Sequence, residues 1–153
     1  MEQLGAFNNH LPVKIRFGNG IAKTLPDVIK EVDSKHIFLM VDEGIEKFNP
    51  AAAELIKILE ANGSFKVTHF GKPAGEPTIQ MVDDATSALI KSGADSVIAL
   101  GGGSVIDTAK AARLCSQLGV TFKEFTSKSP NYPTPNIPLI VLPTSSGTGS
   151  EVS

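Results

Sequence analysis

The feature that most constrains this chain is an apolar run that ends at three consecutive glycines and passes at once into a helical pattern. Residues 97–100 read Val-Ile-Ala-Leu, and glycines 101–103 follow directly. The pattern predicts a strand, a tight turn and a helix start, with Ser104 and Asp107 spaced as a capping box. Free N–H groups and the helix dipole make such a start an anion site, and at a strand's carboxyl end the usual anion is a nucleotide phosphate.

Two observations limit this interpretation. A glycine-rich turn between a strand and a helix can serve packing alone, and that alternative stays open here. The dinucleotide pattern G-x-G-x-x-G, started at Gly101, is met at Gly103 but not at Ile106, and no G-x-x-x-x-G-K-[ST] loop occurs. Phosphate binding is therefore predicted without a particular cofactor.

Length and composition indicate one ordinary globular domain. The chain has 153 residues, of which 41% are hydrophobic and 20% charged, and its formal net charge of −2 argues against a nucleic-acid partner. No leader-like N-terminus and no apolar run of membrane-spanning length occurs, so we expect a cytoplasmic protein without a membrane contact. The single cysteine, Cys115, lies in a helical pattern of small and apolar residues and is expected to be a buried thiol.

Strand-like and helix-like segments alternate along the chain. Strands are predicted at 13–17, 36–41, 65–70, 97–100 and 139–142, and helices at 21–32, from Pro50 to Asn62, from Thr78 to Ser92 and from Ser104 to Leu118. This order predicts an α/β domain with a largely parallel sheet. A proline-rich connector covers 127–138, and because the chain stops as a further helix starts, we expect a fragment of a longer protein.

Three features fall at the carboxyl ends of predicted strands, where open parallel sheets bind ligands: Asp42, the glycine turn, and a loop of hydroxyls and glycines at 144–150. Asp42 could accept hydrogen bonds from both hydroxyls of an adenosine ribose and would repel a 2′-phosphate, which favours NAD over NADP. A helix cap or turn is the open alternative for Asp42. A turn that satisfies its own backbone is the alternative for Thr144, Ser145 and Thr148.

Two of these stretches resemble the paired motifs of iron-containing (group III) alcohol dehydrogenases, in the dehydroquinate-synthase-like superfamily. They read G-G-G-S-x-x-D-x-A-K over 101–110 and P-T-S-S-G-T-G-S-E over 143–151. Further landmarks of that family are resembled by Val41-Asp42, Glu76-Pro77-Thr78 and residues 15–20. Glu76 departs from the commoner Asn, and Ser145-Ser146 from the commoner Thr-Ala.

The resemblance implies an NAD(P)-binding α/β domain over residues 1–153, with a Rossmann-like, largely parallel sheet and helices on both faces. It implies that Gly102, Gly103 and Ser104 bind the cofactor pyrophosphate and that Asp107 lies near the nicotinamide. The remaining residues that it places at the cofactor are Asp42 at the adenosine ribose and Thr144, Ser145 and Thr148 along the cleft.

The resemblance further implies an enzyme that moves a hydride between NAD(P) and an alcohol or aldehyde. Its divalent metal, iron or zinc, would be held by an Asp and three His in a second, helical domain absent from this chain. No catalytic or metal-ligating residue is therefore expected here, His10, His36 and His69 are expected to be structural, and the chain alone is expected to be inactive. A homodimer through the N-terminal strand region is a further expectation.

Other functions stay open at this point. Within enzymes they are glycerol dehydrogenase, maleylacetate reductase and dehydroquinate synthase, although the run Gly147-Thr148-Gly149-Ser150-Glu151 argues against the first and the last. Outside enzymes they are a nucleotide-binding module without catalysis, or a structural domain with an empty cleft. An Asp and three His downstream of residue 153 would decide for the metal-dependent enzyme.

Overall fold

The computed structural model describes residues 12–127, 133–147 and 149–153. After a 3₁₀ helix at Ile21–Thr24, the elements in chain order are α1 (Leu25–Glu31), β1 (His36–Asp42), α2 (Glu43–Phe48), α3 (Pro50–Glu60), β2 (Lys66–Lys72), α4 (Ile79–Ser92), β3 (Ser96–Gly101), α5 (Gly103–Leu118), α6 (Phe122–Ser127) and β4 (Leu139–Pro143). Strands and helices alternate, as predicted.

The four strands form one parallel sheet in the order β2-β1-β3-β4. From β1 the chain moves outwards to β2, the outermost strand on one side, and from β3 it later moves outwards to β4, the outermost strand on the other side. This reversal between β1 and β3 is the topological switch point of a doubly wound sheet, and ligands bind in such folds at the carboxyl ends of the two strands.

Helices cover both faces of the sheet, which confirms the predicted Rossmann-like architecture. On one face α1 and α3 pack against alternate residues of β1 and β3, among them Ile37, Leu39 and Ile98. On the other face α4 and α5 pack against the intervening residues, among them Phe38 and Ala99. All six residues of β3 are buried, as its continuous apolar sequence predicts for a central strand.

The helix boundaries follow from local chemistry. Asn49 caps α3 by accepting hydrogen bonds from the backbone N–H groups of Ala51 and Ala52, with Pro50 at the first helical position. Thr78 caps α4 in the same way. The helix α4 ends at Gly93 with a φ of 65°, a left-handed conformation that favours glycine.

The strand predicted at 13–17 is wrong. Among the described residues this segment has no strand partner, and the side chains of Lys14 and Arg16 bind Glu31 of α1, at 2.9 and 2.5 Å. Ile15 and Phe17 consequently remain exposed, at 66% and 99% of their surface. Alternation of apolar and charged residues gives a strand only where another strand lies beside it.

Two short helices were not predicted from the sequence. The helix α2 follows β1 without a loop, because Asp42 both ends the strand and caps the helix. The helix α6 follows the predicted helix that ends at Leu118 and reaches the start of the proline-rich connector, and Glu124 accepts a hydrogen bond from the N–H of Thr121, just before α6. Over the ranges that the structure describes, no helix is both long and apolar enough to cross a membrane.

At the amino edge of the sheet, one carboxylate fixes the starts of two adjacent strands. Asp95 accepts hydrogen bonds from the hydroxyl of Ser34 at 2.6 Å, from the N–H of Lys35 at 2.9 Å and from the N–H of His36 at 3.2 Å. Burial acts to raise the pKa of Asp95, but these hydrogen bonds outweigh it and hold the pKa below its ordinary value.

Replacing this carboxylate tests its role. Since Asp95 satisfies two backbone donors and a hydroxyl, we expect Asp95→Ala to lower the free energy of unfolding by about 1–2 kcal/mol at pH 7. The lowered native pKa means that the contribution is present above the ordinary carboxyl range and is lost as pH falls through the native pKa.

Thermal unfolding between pH 7 and pH 2 measures this effect. The difference between wild type and Asp95→Ala should shrink towards acid. Asp84→Ala is the control and should lower the free energy of unfolding little, because within the described ranges this exposed carboxylate is bound only to the Gln80 side chain. A difference that does not change with pH would contradict this account.

Candidate nucleotide-binding site

Three of the predicted segments meet at the switch point. The end of β1 lies beside the end of β3, since Val41 pairs with Leu100. The end of β4 lies on the other side of β3, where Gly101 pairs with Pro143, and the N–H of Thr144 donates to the carbonyl of Gly101 at 3.0 Å. The sheet therefore places Asp42, the glycine turn and the start of the hydroxyl loop at one edge.

The glycines are needed because these segments approach closely. A Cβ added to Gly101 would lie 2.6 Å from Cγ2 of Val105 and 3.4 Å from Cβ of Asp42. A Cβ added to Gly102 would lie 3.0 Å from the hydroxyl oxygen of Ser145. Both glycines therefore leave space that any side chain would fill, and the space at Gly102 opens between the turn and the hydroxyl loop.

The start of α5 corrects the predicted capping box. Gly102, not Ser104, is the N-cap, so Ser104 is the second helical residue, and no side chain caps the helix. The N–H groups of Val105 and Ile106 bind the carbonyl of Gly102, at 3.0 and 3.2 Å. Those of Gly103 and Ser104 have no hydrogen-bond partner among the described residues, so two donors remain at the positive end of a 16-residue helix.

Asp42 fulfils the capping role that its sequence position left open, and it retains an acceptor. Its Oδ1 accepts hydrogen bonds from the N–H groups of Gly44 at 2.9 Å and Ile45 at 3.1 Å. Within the described part of the chain, Oδ2 has no hydrogen-bond partner, and the side chain is half-buried. The cap thus fixes the carboxylate while one oxygen is left to bind a ligand.

Two side chains of α5 hold the hydroxyl loop against this helix. Asp107 accepts a hydrogen bond from the hydroxyl of Ser150 at 3.2 Å, and Lys110 donates to the carbonyl of Ser150. Its position in the helix alone suggests an exposed lysine at 110, but Lys110 is half-buried in this contact. The i,i+3 spacing of Asp107 and Lys110, which places both on one helix face, is the sequence signal for it. Thr144 and Ser145 are exposed at the front of the loop, and Thr148 lies outside the described residues.

His36 and His69 have side-chain partners and Cys115 is buried, while His10 lies outside the described residues. His36 shares a hydrogen bond of 2.8 Å with the hydroxyl of Thr68, and burial lowers its pKa. His69 lies 3.3 Å from a carboxylate oxygen of Glu46. Burial raises the pKa of the Cys115 thiol, which is unfavourable for a nucleophile. Over the ranges 12–127, 133–147 and 149–153, no cluster of three or more His, Cys, Asp and Glu side chains could hold a metal ion.

Comparison with known proteins identifies the family. The family model described as "Iron-containing alcohol dehydrogenase" matches residues 12–153. The chain belongs to the iron-containing alcohol dehydrogenase family. This confirms the resemblance inferred from the glycine turn and the hydroxyl loop.

Three relatives of the iron-containing alcohol dehydrogenase family show the extent of the similarity. The chain is 33% identical to a mitochondrial hydroxyacid-oxoacid transhydrogenase of Xenopus tropicalis over 91% of its length and 31% of the relative's, and 40% identical to a probable alcohol dehydrogenase, EutG, of Escherichia coli over 78% and 29%. The structure matches that of a sulfoacetaldehyde reductase from Bifidobacterium kashiwanohense in complex with NAD⁺, with a TM-score of 0.84, 27% identity, and 97% and 39% coverage. The chain thus spans about a third of the length of these relatives.

A test of the tight approach at the turn is to add one methyl group. We expect Gly101→Ala to lower the free energy of unfolding by about 1–3 kcal/mol, because its Cβ would overlap Val105. Chemical denaturation measures the change, and Gly63→Ala, where a Cβ meets nothing within 4 Å, is the matched control. The double variant Gly101→Ala/Val105→Ala should recover part of the loss relative to the sum of its single changes, and strict additivity would contradict the overlap.

Proposed function

We propose that this chain is the dinucleotide-binding domain of an NAD-dependent, metal-dependent alcohol dehydrogenase. The observation that carries the proposal is that Asp42, the turn at 101–103 and the loop from Thr144 meet at the switch point of the sheet. This is the place at which doubly wound sheets bind dinucleotides.

The residues present fit the pyrophosphate of such a cofactor. The N–H groups of Gly103 and Ser104 supply two donors at a helix N-terminus, and Gly102 provides room for a phosphate to come close. The hydroxyl of Ser145 lies on the opposite side of this space. Thr148 stays a prediction as a further residue of the cleft.

Asp42 supports a preference for NAD over NADP. Its Oδ2, which has no partner among the residues that the structure describes, can accept hydrogen bonds from ribose hydroxyls, whereas the phosphate of NADP at that position would meet a carboxylate of the same charge. We further infer that Asp107 lies near the nicotinamide end of the bound cofactor. The hydrogen bond from the hydroxyl of Ser150 would then orient the carboxylate of Asp107.

The bound cofactor would accept a hydride from the carbon of an alcohol, or return one to an aldehyde. The chain's own residues would bind and orient it. We propose that the divalent metal and the substrate pocket belong to a second, helical domain of the complete protein. The supporting observation is that the relatives are about two and a half to three times as long as the chain. The inactivity of this domain alone and its cytoplasmic location stay predictions.

A nucleotide-binding module without catalysis would use the same edge of the sheet. An Asp and three His in the downstream sequence of the complete protein would decide for the enzyme. Related activities in the same superfamily, such as glycerol dehydrogenase or maleylacetate reductase, differ in the substrate pocket.

Calorimetric titration with NADH and NADPH tests the proposal. We expect NADH to bind more tightly than NADPH, and Gly102→Val to abolish binding, because its side chain would fill the space towards Ser145. Asp42→Asn keeps the helix cap but removes the charge, so it should narrow the preference for NADH by about tenfold or more, mainly through tighter NADPH binding.

Two variants control for side effects. Asp42→Ala removes both the cap and the acceptor, so it should weaken NADH binding more than Asp42→Asn does. Gly18→Val changes an exposed glycine with no atom within 4 Å of its added Cβ and should bind NADH as wild type does. The absence of NADH binding to wild type at millimolar concentration would contradict the proposed site in this chain, as would a Gly102→Val variant that still binds.

We also infer that the segment 13–17, which has no strand partner among the described residues of one chain, pairs with the same segment of a second copy. Its exposed Ile15 and Phe17 alternate with Lys14 and Arg16, as in an edge strand without its neighbour. Phe17→Lys should shift the protein from dimer to monomer in light scattering after size-exclusion chromatography, whereas Phe48→Lys, at another exposed phenylalanine, should not. A wild-type monomer at high concentration would contradict this inference.

A further inference from the structure

A lysine that the sequence analysis did not single out lies buried at the same edge of the sheet. Lys72, the last residue of β2, has 0% of its surface exposed, and it is the only charged residue in the buried class among the residues that the structure describes. Charged side chains are almost never fully buried unless their hydrogen-bonding groups are satisfied. The position therefore calls for specific acceptors.

Those acceptors are backbone carbonyls of the turn that follows β2. The ammonium of Lys72 donates to the carbonyl of Pro73 at 2.9 Å and to the carbonyl of Gly75 at 2.6 Å. Lys72 takes part in none of the ion pairs found within the described ranges. Charge-assisted hydrogen bonds are stronger than neutral ones, so the buried charge acts on the conformation of this turn.

The backbone of the turn matches this arrangement. Gly75 has a φ of 104°, a conformation that other residues rarely adopt, and its carbonyl accepts a hydrogen bond from the ammonium. Pro73 contributes a carbonyl without an N–H of its own. Two carbonyls separated by one residue thus converge on a single donor group.

The turn belongs to the edge that carries the proposed site. Lys72 pairs in register with Asp42. By strand alternation both side chains lie on the face covered by α4 and α5, because Phe70 and Met40, two residues earlier, pack there. The turn then passes through Glu76 and Pro77 to Thr78, which caps α4.

We propose that Lys72 is a positioning residue for dinucleotide binding: its buried ammonium holds the turn 73–77 in the conformation that the cofactor meets beside Asp42. The inference rests on the proposed function for its consequence, but not for its structural part. Without the ammonium, two carbonyls would lose their common donor, and Glu76 and the start of α4 would no longer be fixed relative to β1.

Lys72→Met tests the proposal, because methionine keeps much of the apolar length and removes the charge and the donors. Lys66→Met, at the exposed first residue of the same strand, is the matched control. Two measurements are made on each variant: the backbone amide NMR signals of residues 74–76 in the free protein, and the affinity for NADH by calorimetry.

We expect Lys72→Met to shift or broaden the signals of the turn and to weaken NADH binding by about tenfold or more, as the loss of charge-assisted hydrogen bonds predicts. Lys66→Met should change neither. Lys72→Gln keeps an N–H donor and should give an intermediate affinity. If Lys72→Met is too unstable for titration, the same measurements on Lys72→Gln decide.

A merely structural lysine would give a different result. Lys72→Met would then lower the melting temperature without changing the site. Turn signals of the folded variant that match wild type overturn the proposal, and so does an NADH affinity that matches wild type. If wild type itself bound no NADH, the proposed function of the chain would fail. Unchanged turn signals in Lys72→Met would then separately overturn the structural part of the inference, and altered ones would support it.

Discussion

The parallel pairing of β1 with β3 is the constraint on which the rest of the structure depends. Five residue pairs from Ile37 with Ser96 to Val41 with Leu100 set the register, and this register brings the end of one strand against the glycine turn of the other. A slip of two residues would preserve the alternation of buried side chains but would displace Asp42 by about 6–7 Å along the strand. This one register therefore determines both the core of the sheet and the geometry at the carboxyl ends of its strands.

The groups that shape this edge are fixed by the fold, and in the proposed function they also bind the ligand. Asp42 stabilises α2 with one oxygen, while its other oxygen has no partner among the described residues, and Asp107 and Lys110 hold the loop beyond β4 to α5. The buried ammonium of Lys72 donates hydrogen bonds to two carbonyls of the turn after β2. Polar side chains that are already fixed by the fold lose little conformational freedom when a ligand arrives, which favours binding.

Much of the fold could be predicted from the sequence, because long apolar runs and helical spacing depend on local order. The strands at 36–41 and 97–100 and the helix from Pro50 are examples. The strand at 13–17 could not be judged in this way, since a strand depends on its neighbour. At the site, the glycine turn and Asp42 could be placed at one edge because each directly follows a predicted strand of a parallel sheet. The N-cap at Gly102 and the hydrogen bonds of Lys72 depend on the backbone of a turn, which no residue pattern records. The spacing of Asp107 and Lys110 indicates one helix face, but not that their partner is Ser150, far along the chain.

The two edges of the sheet treat their backbone donors in opposite ways. At the amino edge, Asp95 satisfies the N–H groups of Lys35 and His36, while at the carboxyl edge those of Gly103 and Ser104 find no partner among the described residues. The amino edge thus has its backbone donors paired, which keeps the strands aligned, and the carboxyl edge has donors that can bind a ligand. Substitutions accumulating along the carboxyl edge could diversify ligand chemistry over evolutionary time, while the strands remained in register from the opposite end.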